Sequence, residues 1–159
     1  MNKEEFYPLN LRHCTHFYNA DMAMKTYKEG GEQPQPNEAF YIPLRKEILE
    51  PMGFEAVYDD FTSEIYFQKD LAGYRLRVYP MEDRIKIIDL KFLHTVVDAR
   101  AKGLHELENY LYAVDIGEAF TIELYSPDVL EAINDFGKNH YWDDFASVEN
   151  MFFETASKE

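Results

Sequence analysis

The stretch from Arg84 to Leu107, RIKIIDLKFLHTVVDARAKGLHEL, constrains this chain more than any other. It opens as an apolar, β-branched run (Ile85, Ile87, Ile88, Leu90, Phe92, Leu93, Val96, Val97) and breaks at Asp98-Ala99. After Arg100-Ala101-Lys102-Gly103 it takes helical spacing, with Leu104, Leu107, Leu111 and Val114. The pattern predicts a strand, a short basic turn and a helix. A helix start at a strand end presents unpaired N–H groups and the positive end of the helix dipole, a setting that suits a phosphate.

The rest of the chain arranges itself around that unit. From Phe54 the apolar period is two, and Ala56–Tyr58, Ser63–Gln68, Tyr74–Tyr79 and Ile85–Val97 read as four successive strands. Their joints (Asp59-Asp60, Asp70 to Gly73, Pro80 to Asp83) are short, so the strands form an antiparallel meander. A helix is expected over Leu104–Asp115 and a strand over Phe120–Tyr125. A second helix starts at Ser126-Pro127-Asp128, its buried stripe being Val129, Ile133 and Phe136 with Leu130. The strands at Ile85–Val97 and Phe120–Tyr125 are expected to be parallel neighbours joined by a right-handed crossover, making a central mixed, mostly antiparallel sheet. Upstream, Met22, Met24 and Tyr27 suggest a short helix beginning near Asn19 or Asp21. Glu29–Asn37 is a turn-rich loop, and a helix opens at Asn37 or Ile42-Pro43 and ends at Pro51 and Gly53. The aromatic tail from Tyr141 to Ala156 reads as a last hairpin, with helix as its competitor.

A chain of 159 residues with 46% apolar content is one domain able to bury a core. Its start, MNKEEFYPLN, is unlike a signal peptide, no apolar run is long enough to cross a bilayer, and Cys14 is the only cysteine. A cytoplasmic protein with no membrane contact is the expectation. His13-Cys14-Thr15-His16 lacks the second half of a zinc site or of a two-histidine phosphoesterase, so no metal is expected. The net charge is −14, and residues 104–159 hold 13 acids against Lys138 and Lys158 alone. Such a surface repels nucleic-acid backbones and attracts basic proteins, so the expected partner is basic and direct nucleic-acid binding is not expected. Glu106, Glu108, Asp128, Glu131, Asp135, Asp143 and Asp144 are the expected contacts.

The order of elements, helices first, then meander, helix, strand, helix and terminal hairpin, resembles the GNAT-type N-acetyltransferases. Arg100-Ala101-Lys102-Gly103-Leu104-His105 is similar to that family's acetyl-CoA loop, Arg/Gln-x-x-Gly-x-Gly/Ala, at its first and fourth positions. Ala132-Ile133-Asn134-Asp135-Phe136-Gly137-Lys138-Asn139-His140-Tyr141 follows the spacing of the family's fourth-helix motif. The resemblance covers residues 54–153 and leaves the helical part at 1–53 poorly matched. It implies a single GNAT-like α/β (α+β) domain binding acetyl-CoA through Leu93, Thr95, Arg100, Lys102, Gly103, Leu104, His105 and Phe136. It implies that Asp89 is the base for the amine proton, with Tyr141 (or Tyr125) as the leaving-group acid in place of the family's Tyr, which is Phe136 here. The activity implied is acetyl transfer to an amine, a lysine or N-terminus of a basic protein being a candidate. The alternative is a catalytically inactive GNAT-like acidic protein of the phage anti-defence or immunity type, which neutralises a basic or nucleic-acid-handling partner. His105 and Phe136, where the family has Gly or Ala and Tyr, favour that alternative, whereas the strand-turn-helix context keeps the acetyltransferase as the first reading.

Overall fold

The computed structural model describes residues 15–19, 21–27 and 39–139. The chain enters on a hairpin, β1 (His16–Tyr18) and β2 (Met24–Thr26). The helix expected here does not form, because Asn19 turns the chain back. Its Oδ1 accepts the N–H groups of Asp21 and Ala23, both at 3.0 Å. Short Asn side chains compete for backbone donors and so favour turns over helices.

Residues 39–45 run extended. Phe40 exchanges backbone bonds with Tyr18, Leu44 N–H donates to the Lys102 carbonyl, and Leu104 N–H donates to that of Ile42. The helix expected up to Met52 is therefore reduced to α1 (Lys46–Leu49). Tyr41, Ile42 and Leu44 are all buried, and an extended segment paired on both flanks buries them together, overriding helical spacing.

Five strands follow: β3 (Glu55–Asp59), β4 (Glu64–Leu71), β5 (Tyr74–Tyr79), β6 (Arg84–Asp89) and β7 (His94–Arg100). They pair in sequence order, every pair antiparallel. The one strand expected over Ile85–Val97 is two, because Asp89 ends β6. Its Oδ1 accepts the N–H groups of Lys91 (2.8 Å) and Phe92 (3.3 Å), and Leu93 closes the turn at φ 52°. The β3–β4 turn repeats the device, with Asp59 accepting from Phe61 and Thr62 and Ser63 at φ 57°.

Three helices end the described chain: α2 (Leu104–Ala113), α3 (Gly117–Leu124) and α4 (Pro127–Asn139). Phe120–Tyr125, expected as a strand, lies largely in α3. Ile116, Phe120 and Leu124 are buried at a spacing of four, which is a helical stripe and not an alternation. So β6 and β7 have no parallel neighbour among the described residues. The expected mixed sheet is a pure antiparallel meander followed by helices, and the class is α+β.

The inner face of the sheet, with Phe67, Leu76, Val78, Ile85 and Ile87, packs with Ile42, Ile48, Leu104, Leu107, Phe120 and Phe136 in one core. Val129, Ile133 and Phe136 of α4 are buried as expected, whereas Leu130 is exposed. The β1–β2 hairpin clips onto α4: Tyr18 Oη donates to the Ile133 carbonyl, and Met24 N–H donates to Asn134 Oδ1 at 2.8 Å. Gly137 makes this approach possible, since a Cβ there would come within 2.5 Å of the Met22 carbonyl oxygen. Among the described residues no helix is long and apolar enough to cross a membrane.

Candidate functional site

The strand–turn–helix unit forms where it is expected, with β7 ending at Arg100 and Gly103 as the N-cap of α2. The amides of Lys102, Gly103 and Leu104, however, already have acceptors. Glu106 Oε1 accepts from Lys102 N–H (3.0 Å) and Gly103 N–H (3.1 Å), and the Ile42 carbonyl accepts from Leu104 N–H (2.7 Å). A Glu at the third helical position reaching back to the N-cap is half of a capping box, and it also places negative charge where the helix dipole favours it. Gly103, Leu104 and His105 are buried, and a Cβ at 103 would stand 2.7 Å from the His105 ring and 3.0 Å from Tyr41 Cβ. Glycine is therefore needed here for close packing inside the fold. Donors for a pyrophosphate are engaged within the chain, so the turn as it stands does not fit acetyl-CoA.

The other expected site residues are not gathered around this turn. Asp89 caps the β6–β7 turn, at the opposite end of β7 from Arg100; six residues of strand put about 20 Å between the two positions. Leu93 and Thr95 are exposed at that far end. Phe136 is 1% exposed, inside the core. Lys102 lies over the Tyr41 ring (5.5 Å), and Arg100 is exposed. Tyr141 lies outside the described residues, as do Asp143, Asp144, His13, Cys14, the loop at 29–37 and the tail at 141–156.

A buried polar cluster that the sequence reading missed lies between β1, α2 and the end of α3. Glu108 is 1% exposed and accepts three hydrogen bonds. His16 N–H reaches Oε1 at 2.9 Å, His16 Nδ1 reaches Oε2 at 2.6 Å, and Tyr125 Oη donates to Oε2 at 2.9 Å. The His16 and Tyr125 rings lie 4.7 Å apart. Burial, with the Glu108 carboxylate beside it, raises the Tyr125 phenol well above its ordinary value, so the hydroxyl stays a donor. Glu108 was expected among the partner-binding acids. It is instead the polar tie of the hairpin to α2, because 104, 107, 108 and 111 share the buried face of that helix.

No protein-family model, curated protein or solved structure matches this chain.

The acids that do reach solvent lie farther along. Asp128, Glu131 and Asp135 are exposed on α4, at the i, i+3, i+7 spacing that puts them on one face. Glu118, Glu123 and Asp115 are exposed nearby, and Lys138 is the one base between residues 104 and 139. Among the described residues there is no His, Cys, Asp or Glu cluster able to hold a metal ion.

Proposed function

We propose that this protein works by binding and not by catalysis, its acidic helical flank holding a basic macromolecular partner. The observation that carries this reading is the carboxylate stripe on α4. Val129, Ile133 and Phe136 turn into the core, and Asp128, Glu131 and Asp135 turn to solvent beside them. The stripe's complement is a groove lined by Lys and Arg, the chemistry of proteins that handle nucleic acid. Neutralising such a partner is the use this surface supports best. Acetyl transfer has less support, because the amides at the head of α2 are engaged and Asp89 lies at the other end of β7.

One preparation tests both readings. The parent protein should capture a basic partner at low salt, with association weakening steeply as ionic strength shortens the Debye length from about 30 Å at 0.01 M to about 8 Å at 0.15 M. Asp128→Asn, Glu131→Gln and Asp135→Asn together should slow association several-fold and change dissociation less, as measured by surface plasmon resonance. A triple variant that associates at the parental rate would remove the stripe from the interface. Millimolar acetyl-CoA should leave Tm unchanged; a concentration-dependent rise would return the turn to the role of a cofactor site.

A further inference from the structure

The acidity of the chain as a whole conceals a basic stretch on the outward face of β5 to β7. In the sheet, residues opposite Leu76, Val78, Ile85 and Ile87 in the pleat point away from the core, and no described element covers them. On the three strands β5 to β7 these outward positions include Arg77, Tyr79, Arg84, Lys86 and Arg100.

Cross-strand neighbours normally pair opposite charges or apolar groups, and like charges directly opposite destabilise a sheet. Here Arg77 stands opposite Lys86, and Arg84 stands opposite Arg100. Two like-charge pairs lie in adjacent rows. Of the four bases only Arg84 has an ion pair among the described residues, with Asp98 at 2.6 Å. Two of the others are held by different means. Arg77 Nε donates to Gln68 Oε1 (2.9 Å) and its guanidinium lies 5.1 Å from the Tyr66 ring centroid, while Lys86 Nζ lies 5.5 Å from that of Tyr79. Tyr66 and Tyr79 lie 5.2 Å apart, tilted by 33°. The result is a row of cation, ring, ring, cation across β4, β5 and β6. It borders an open cleft of about 550 Å³ lined by Glu82, Arg84, Asp98, Ala99 and Arg100.

We infer that this uncovered face binds single-stranded nucleic acid, with bases taking the ring faces of Tyr66 and Tyr79 that Arg77 and Lys86 now cover, and with those two cations turning to phosphates alongside Arg84 and Arg100. Aromatic rings beside cations are the two elements that strand-binding platforms combine. The acids do not prevent this. Asp70 is held by Arg75 and Asp98 by Arg84. Asp59, Glu64 and Glu82 gather at one corner near the β3–β4 turn, where desolvation, and after it the charges of Glu82 and Asp59, raise the Glu64 carboxyl. Glu82 also lines the cleft, so a phosphate chain there lies on its Arg100 side, over β6 and β7. The α4 stripe belongs to a helix packed against α1 and β2, and its charges are screened over about 8 Å at physiological salt.

The test is fluorescence anisotropy of the full chain with a labelled oligothymidylate of 12 nucleotides. The expected result is saturable binding that weakens as salt rises. Tyr66→Ala and Tyr79→Ala should each weaken it about tenfold, the scale of one lost stacking contact. Arg100→Glu should weaken it further and flatten the salt dependence, and the α4 triple variant should bind as well as the parent. Thermal melts of each variant confirm that it folds, and Tyr79→Phe, which keeps the ring, should retain affinity whatever Tyr79→Ala does to stability. No saturable binding overturns the proposal. So does equal binding of a poly-glutamate peptide or of duplex of the same length, since that would mark a patch for any polyanion or an acidic protein partner. Because the α4 variant is a separate arm, failure here leaves the basic-partner reading standing, and failure there leaves this one.

Discussion

Glu108→Ala should lower stability by about 3–5 kcal/mol, the scale for removing one partner from a buried, charge-assisted cluster. Three donors lose their acceptor at once: His16 N–H, His16 Nδ1 and Tyr125 Oη. All three lie where water has poor access, since His16 is 7% exposed and Glu108 1%. For a chain of this length that loss is a fall in Tm of about 10 °C or more, read by calorimetry. Glu108→Gln keeps an acceptor oxygen of nearly the same reach, so it should recover part of the loss. The pairing makes a sharper statement in a double-mutant cycle. His16→Ala should cost much less in the Glu108→Ala background than in the parent, with a coupling of about 1–3 kcal/mol. Additive losses would mean that the two residues act independently and that the pairing does not tie the hairpin to α2.

Glu108 also shows what the sequence made legible and what it did not. The meander was readable because β4 and β5 alternate apolar and polar residues between short turns, and α4 was readable from Pro127 and the Val129, Ile133, Phe136 stripe. Two errors came from reading residue type without its local partner. Asp89 interrupts an apolar run, and a buried base and a turn-former look alike there. The matching arrangement at Asp59, an acid followed four residues later by a left-handed residue, separates them only once both turns are compared. Phe120–Tyr125 is apolar enough for either period, and the burial of Ile116 before it shows that the spacing of four governs. Glu108 carries the opposite lesson. The helical stripe of 104, 107 and 111 put it on the buried face, but a carboxylate reads as surface until its donors are known, and these lie 92 residues away at His16 and beyond α3 at Tyr125. Charge was misread in a similar way. A total of −14 describes the chain, whereas the alternation Arg75, Arg77, Tyr79 on β5 and Arg84, Lys86 on β6 already placed the bases on one face.

Stability should rise with pH between about 4 and 6.5, and His105 should account for most of that slope. The residue is 1% exposed at the first turn of α2, beside Gly103 and Tyr41. Burial lowers its imidazole from the ordinary 6.5 to about 4, and nearby Glu106 offsets only part of this. The positive end of the helix acts in the same direction as burial, since it disfavours a cation there. Above pH 6.5 both folded and unfolded chains hold the residue neutral, and it contributes no pH dependence. Below 6.5 the unfolded chain takes up a proton that the native state refuses, so stability falls until the native pKa is reached. The full difference is roughly 3 kcal/mol between pH 7 and pH 4. Asp70 and Asp98 act in a separate window. Arg75 and Arg84 hold their carboxyls below the ordinary 3.8, so their contribution is present above that value and is lost below it. Both pairs are partly exposed, which makes their effect small. Urea unfolding at pH 7, 5.5 and 4.5 reads the slope directly, and His105→Leu should flatten it while leaving the m-value unchanged. A parental slope in that variant would assign the pH dependence to another group and place His105 within reach of solvent in the native state.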